Sequence, residues 1–434
     1  MINAWLPRAA AVSPDRCAVE TEDKEVVSYA QLYRRATEAA GRLGSRGVRP
    51  GDRVGIVLDP GIEFVVTFHA CLLLGAVAMP ISPRLPAPEI ATRIATAKVV
   101  VDEPLTGQTS DPALRSQHDL SAVATVIHTS GSTGEPRAVE LTYANWLWSA
   151  FGSALALGLD RNERWLCALP LDHVGGLSIV IRSAIYATTA VVHTGFDAER
   201  VGLACSAGEV TLVSLVPTTL RRVLDGLAGP PKELRCALIG GAPLDQKLAE
   251  RALDAGFAVA QTYGLTEACS QVTTSEIGET KTSGLPLAPT EVEIAPDGEI
   301  LVRGPTVAAG ATAADGWLHS ADLGSLDDRG RLTVVGRKGD LIISGGENVM
   351  PGEVERILCE HPAIAEAAVH ARPDEQWGQA VVATVVLAPG ANVDLQQLRT
   401  YCSELLAAAK VPKELFIVSD LPRTASGKLR RDAL

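Results

Sequence analysis

At 434 residues, 47% of them hydrophobic, the chain has material for a large buried core and length for two or three domains. Its net charge of −12 argues against general nucleic-acid binding, so a polyanionic ligand would have to be met by local donors and cations. Eight cysteines, at positions 17, 71, 167, 205, 236, 269, 359 and 402, form no C-x-x-C pair and lie mostly among apolar neighbours, which favours buried thiols over disulfides or metal ligands.

The first residues, MINAWLPRAAAVSPDR, carry charges at Arg8, Asp15 and Arg16 and no signal-peptide core, which makes the cytoplasm the default location. Ser28 and Gln31 predict a capping box, after which Leu32, Ala36, Ala39 and Leu43 recur on one helical face until Gly44 and Gly47 close the segment. A strand is predicted at 53–58. The uncharged run 64–82 is interrupted by Thr67, His69, Gly75 and Pro80, and reads as a buried helix followed by a strand, with no membrane span. An apolar lead at 123–127 enters the stretch TSGSTGEPR (129–137), predicted as a loop before a helix that starts near Thr142. Helices near 145–157 and 244–255 then alternate with strands at 188–193, 210–216 and 236–239, the rhythm of a large α/β domain.

From 291 to 335 the character changes to short strands with turn signals at Pro296-Asp297-Gly298 and Asp327-Asp328-Arg329-Gly330, which predicts a small β-subdomain. After Gly336 a compact unit follows. It has a strand near Leu341, a helix from about Pro351, strands near Ala367 and at 380–387, a helix with Leu395, Leu398, Cys402 and Leu405 on one face, and a last strand at 415–418. This is a separate α+β domain of about a hundred residues.

TSGSTGEPR has the chemistry of a phosphate-holding loop. Its glycines let backbone N–H groups approach an anion, Ser130, Ser132 and Thr133 add hydroxyl donors, and Arg137 supplies charge. The Walker A spacing is absent throughout the chain. An ordinary flexible turn would use the same residue types.

Three further segments supply what a nucleotide would still need: QTYGLTEACS (261–270), HSADLG with VVGRKGDLIISGGEN (319–348), and PRTASGKLRRDAL at the C-terminus. Together with TSGSTGEPR, in this order, the chain resembles the adenylate-forming superfamily of acyl-CoA ligases, carrier-loading adenylation domains and luciferases, over nearly its whole length. The resemblance implies an α/β fold with a large multi-layer N-terminal domain at 1–337 and a small mobile α+β domain at 338–434. It also implies ATP, Mg²⁺ and coenzyme A as cofactor and substrates beside a small-molecule carboxylic acid. A homodimer is left open.

The family pattern assigns Thr129, Ser130, Gly131, Ser132, Thr133, Gly134 and Arg137 to the β- and γ-phosphates, with Arg137 standing where lysine is usual. It assigns Tyr263, beside Gly264, to stacking on adenine, Thr266 to the α-phosphate and Glu267 to Mg²⁺. Asp322 and Arg337 fall to the ribose, and Gly240, Gly241, Ala242 and Pro243 to the wall of the adenine and acyl pocket. A buried Asp-Arg pair and a plain tight turn would also account for these. Lys428 resembles the lysine that neutralises charge as the α-phosphate is attacked. Gly339 matches the hinge position about which the small domain turns, where relatives often have aspartate or lysine, and Ser344, Gly345, Gly346, Glu347 and Asn348 match the loop that lines the coenzyme A tunnel after that turn.

The stretch WLCALPLDHVGGLSIVIRSAIYATTAVVH (165–193), followed by SLVPTTL, resembles the o-succinylbenzoate-CoA ligases of menaquinone synthesis. Their acid carries a second carboxylate, and Arg182 occupies the matching cation position; a structural ion pair is the other use for a buried arginine. His173 matches a position between acyl pocket and tunnel, Ser214 a pocket hydroxyl, and Asp172 stands where the family has an aromatic residue. Another aryl- or acyl-CoA ligase, a free-standing carrier-loading enzyme and a noncatalytic nucleotide sensor stay open as alternatives; no carrier domain follows Leu434, which disfavours the second.

Overall fold

A computed structural model describes residues 1–130, 136–423 and 429–434. The capping box at Ser28 forms with both of its hydrogen bonds, and the helix Tyr29–Ser45 buries Leu32, Ala36, Ala39 and Leu43 as its periodicity predicts. The helix Ile62–Leu74 is apolar on every side, ends at Gly75 and passes into the strand Val77–Pro80. Among the described residues no helix is long and apolar enough to cross a membrane. All eight cysteines are free thiols, six of them buried.

Two sheets form the layers of the large domain. The larger has nine strands, six of which run parallel in the spatial order Cys17–Thr21, Thr189–Val192, Arg164–Cys167, Leu212–Leu215, Cys236–Ile239 and Val259–Leu265. Their side chains are mostly apolar and buried, as strands covered on both faces require. The second sheet has five strands, with Val99–Val101, Arg53–Ile56, Val77–Pro80 and Val123–Ser130 parallel and Pro136–Thr142 antiparallel at the edge.

That last pair corrects the sequence reading. The strand after the apolar lead continues through Thr129 to Ser130, and Pro136–Thr142 is a second strand antiparallel to it, so both ends of TSGSTGEPR lie on strands where a loop was expected, and 131–135 are outside the described residues. Val139 and Leu141 are buried while Ala138 and Glu140 are exposed, the alternation of a half-covered strand. The helix follows as predicted, Tyr143–Leu157, capped by Thr142 and Asn145.

The β-subdomain is a four-stranded antiparallel meander, Glu291–Ile294, Glu299–Arg303, Leu318–Leu326 and Leu332–Arg337. The small domain has its own core, in which the helices Pro351–Glu360 and Leu395–Leu405 pack on strands Ile364–Asp374 and Gly378–Leu387. Leu398 and Cys402 are buried there, but Leu405 is exposed: it is the last residue of its helix, and Leu406 turns back onto the core instead.

Candidate active site

Parallel strands deliver their C-terminal ends to one edge of the sheet, the place where loops between strand and helix can converge on a ligand. Register brings Cys167, Ser214 and Leu238 side by side, and Ile239 beside Gln261. The residues that follow these strands are the predicted ones: Asp172 and His173 after Cys167, the Gly240–Pro243 stretch after Ile239, and Tyr263 and Gly264 near the end of Val259–Leu265. Gly240 N–H donates to Leu215 O at 3.1 Å, which holds that stretch against the neighbouring strand.

His173 is the N-cap of the helix Val174–Tyr186, and Asp172 is buried just before it. A Cβ on Gly176 would lie 2.3 Å from Pro170 O, so only glycine lets the first turn of this helix tuck under the preceding loop. Sequence reasoning did not pick out Gly176.

Two turns further along, Arg182 is 1% exposed. Its Nη2 donates to Ser149 Oγ at 2.9 Å, its guanidinium lies 5.6 Å from the centre of the Trp165 ring, and its Nε is buried with no acceptor. Burial pulls its pKa below the ordinary arginine value, with Tyr186 and Cys269 opposing. No carboxylate among the described residues pairs with it. Trp165 Nε1 donates to Ser214 Oγ at 2.9 Å, and Ser149 Oγ donates to Cys269 O at 2.7 Å. Arg182, Trp165, Ser214, Ser149 and the strand leaving Cys269 are therefore one connected unit. Trp165 and Ser149 were missed in the sequence; the one available signal was that an indole N–H inside an apolar run must find an acceptor.

Three residues expected at the nucleotide, Tyr263, Asp322 and Arg337, touch one another directly. Tyr263 hydroxyl donates to Asp322 Oδ2 at 2.8 Å, and Arg337 Nε donates to Asp322 Oδ1 at 3.2 Å. Asp322 and Arg337 are directly opposed on paired strands of the β-subdomain. Burial, followed by the charge of Asp322, raises the Tyr263 pKa far above its ordinary value, so the ring stays a neutral donor. A carboxylate offers about four lone-pair sites, which leaves two on Asp322 for vicinal hydroxyls.

Thr266 and Glu267 lie on the one-turn helix Thr266–Ala268, half-buried, with Glu267 O accepting from Ala308 N–H at 2.8 Å. Among the described residues no group of three acidic, histidine or cysteine side chains is placed to hold a metal ion. One carboxylate fits Mg²⁺ delivered on a nucleotide, because that ion takes one or two protein carboxylates and fills its octahedron with phosphate oxygens and water.

On the hairpin, Thr129 faces Arg137 across the two strands, so their side chains share a face, and Arg137 is exposed. Gly131, Ser132, Thr133 and Gly134 lie outside the described residues, as does Lys428.

At the junction of the domains, Lys338 pairs with Asp297 and Glu299 of the β-subdomain, while Asp340 pairs with Arg431 of the C-terminal segment at 3.1 Å. Gly339 stands between these anchors with no atom within 4 Å of where a Cβ would be. Ser344 to Asn348 form a tight hairpin in the small domain. Ser344 pairs with Glu347, and Gly345 and Gly346 take φ of 60° and 83°, as a two-residue turn of this hand demands. The Ser344 hydroxyl is buried with no partner, and Glu347 and Asn348 are exposed.

The chain matches the model of the AMP-binding enzyme family over residues 6–103 and 98–311, and that of the AMP-binding enzyme C-terminal domain over 353–428. It is 39% identical to the 2-succinylbenzoate–CoA ligase of Geobacillus kaustophilus, covering 99% of this chain and 96% of that one. Structures of o-succinylbenzoate CoA synthetase from Bacillus subtilis, 36% identical, also match. The complex with the acyl-adenylate intermediate OSB-AMP covers 99% of this chain and 97% of that one with a TM-score of 0.91, and the complex with ATP and magnesium covers 99% and 98% at 0.90. A double mutant bound with its product analogue OSB-NCoA covers 100% and 98% at 0.74. At unchanged identity, the lower score means that one rigid superposition fits less of the chain.

Proposed function

The chain belongs to the AMP-binding enzyme family, and on that premise we propose that it is an ATP-dependent, AMP-forming acid-thiol ligase that joins o-succinylbenzoate to coenzyme A. The observation that carries the choice of acid is Arg182: a buried guanidinium with no carboxylate partner among the described residues, in a chain this similar to 2-succinylbenzoate–CoA ligases. The aromatic carboxylate of o-succinylbenzoate would complete it, with Ser214 and Asp172 bounding the same pocket.

A carboxylate is a poor electrophile because oxide is not a usable leaving group. Its oxygen therefore attacks the α-phosphorus of ATP, pyrophosphate leaves, and an acyl-adenylate results. Coenzyme A sulfur then attacks the acyl carbonyl, the thiol proton goes to solvent or a base, and AMP leaves. Little covalent work falls to the protein, so positioning and charge neutralisation carry the rate.

In this reading Tyr263, Gly264 and Gly240 to Pro243 hold adenine, Asp322 and Arg337 hold the ribose, and Thr266 holds the α-phosphate. Thr129 to Gly134 and Arg137 receive the outer phosphates. Mg²⁺ on Glu267 supplies neutralisation of the departing pyrophosphate. Lys428 stabilises charge at the α-phosphate, and His173 stands between the acyl pocket and the tunnel for the thiol.

The second step uses a turned small domain, residues 338–434, which presents Ser344 to Asn348 to the tunnel. Two facts support Gly339 as the pivot of that turn: both of its neighbours are ion-paired into different domains, and the superposition weakens toward the OSB-NCoA complex. A cytoplasmic location belongs to the same reading.

Asp172, placed where the o-succinylbenzoate ligases carry an aromatic residue, favours a second reading as a ligase of a different aromatic or aliphatic acid. Acid-dependent release of pyrophosphate over a panel of acids decides between them, with o-succinylbenzoate expected to be used best and coenzyme A preferred to a carrier protein as acceptor. Greater turnover of another acid would move the assignment to that acid. Absence of AMP formation with every acid would reduce the protein to a nucleotide-binding sensor.

A further inference from the structure

A chain of alternating charges crosses from the large domain to the small one, away from the hinge. Asp245 is the N-cap of the helix Gln246–Asp254, its Oδ1 accepting from Leu248 N–H at 2.8 Å, and its Oδ2 lies 3.2 Å from Arg221 Nη2. Arg221, on the helix Pro217–Asp225, also reaches across the domain boundary, with its Nε 3.7 Å from Glu366 Oε1. Glu366 lies on the strand Ile364–Asp374 of the small domain, and its other oxygen accepts from Arg423 Nη2 at 2.5 Å. Arg423 pairs with Leu429 as an antiparallel bridge, and Arg430 N–H donates to Pro422 O at 2.8 Å, so the two ends of segment 424–428 are held together.

These four side chains are 21 to 27% exposed, well enough shielded for their charges to matter more than those of a surface pair. Lys247 adds a second crossing contact, donating to Cys359 O at 2.8 Å. The domain orientation they join is the one that superposes on the OSB-AMP complex.

We propose that Glu366 is a positioning residue for acyl-adenylate formation: it holds Arg221 of the large domain on one oxygen and Arg423, at the base of the segment containing Lys428, on the other, and so fixes the domain orientation used in the first half-reaction. The assignment rests on the two-step reading above. It follows that the latch must open before thioester formation, and that weakening it penalises one half-reaction only.

The test measures single-turnover pyrophosphate release with o-succinylbenzoate, and separately the conversion of supplied acyl-adenylate by coenzyme A, in the wild type, Glu366→Gln, Arg221→Gln and the double variant. Each single variant is expected to slow adenylation about fivefold to tenfold, and the double variant no more than the slower single, as two changes that break one interaction do. Thioester formation is expected to be unchanged or faster. Arg221→Lys, which keeps the charge, should recover most of the adenylation rate and guards against a variant that merely folds badly. Equal slowing of both half-reactions, additive losses, or no loss in either step would overturn the latch. A wild type that releases no pyrophosphate with o-succinylbenzoate would overturn the functional reading instead.

Discussion

Two arginines, one in each domain, are treated in opposite ways. Arg431 in the small domain is 28% exposed and lies against two carboxylates, Glu355 at 2.6 and 2.8 Å and Asp340 at 3.1 Å, with Val369 O as a further acceptor. Arg182 in the large domain is 1% exposed and has a serine hydroxyl and an indole face. The better-solvated cation is fully partnered and the desolvated one is not, which reverses what stability alone would select, since an unpaired buried charge is costly. Under the function proposed above, the difference separates an arginine that holds a fold together from one kept for an incoming anion.

The contrast is broken most directly at Arg182. Arg182→Ala is expected to lower kcat/KM for o-succinylbenzoate by a factor equivalent to roughly 2 to 5 kcal/mol, as when one partner of a desolvated charge pair is removed, with the KM for ATP nearly unchanged. On an analogue lacking the aromatic carboxylate, the variant should lose little more than the wild type already has. Equal losses on both acids would put Arg182 in the same class as Arg431.

At Arg431 the expected outcome is the converse. Arg431→Gln leaves Glu355, whose carboxyl burial already pushes above its usual range, without its counter-charge. Thermal or urea unfolding should register a loss of about 1 to 3 kcal/mol, while the KM for the acid stays put. A raised KM with unchanged stability would erase the distinction.

A smaller effect is expected at the proposed pivot. Gly339→Pro should slow conversion of supplied acyl-adenylate several-fold and leave pyrophosphate release near the wild-type rate, because a fixed φ restricts turning between anchors that are themselves ion-paired. Equal slowing of both steps would move the hinge elsewhere.

The smallest signal is a titration on the large-domain side of that pivot. Hydrogen bonds that the His319 ring donates to Asp315 and then to Glu299 raise the pKa of this exposed histidine above its ordinary value. The contact is thus fully made below about pH 6 and lost as pH rises through the elevated midpoint. NMR titration of the His319 ring should show that midpoint, and Asp315→Asn should lower it; an ordinary midpoint in the wild type would show the contact to be too weakly held to matter.

What the sequence disclosed follows the range of the forces involved. Capping at Ser28 and the buried apolar helix at 62–74 are decided within a few residues, and both were legible. Arg182 was legible as a buried cation because its neighbours in the chain are apolar. Its company was not: Ser149 and Trp165 reach it from 33 and 17 positions away, through a helix face and a sheet register that no local pattern encodes. The strand Pro136–Thr142 was passed over although its two buried residues alternate with exposed ones, because a proline and two charges made a short segment look like loop.

That strand changes what the stretch proposed to hold phosphate would tolerate. Because Thr129 is paired with Arg137, the two arms of the hairpin act as a ruler, and side chains alternate faces with every step along it. Deleting a single residue from either strand would carry every side chain beyond it to the opposite face, turning Arg137 away from Thr129, so these strands tolerate a substitution better than a change of length.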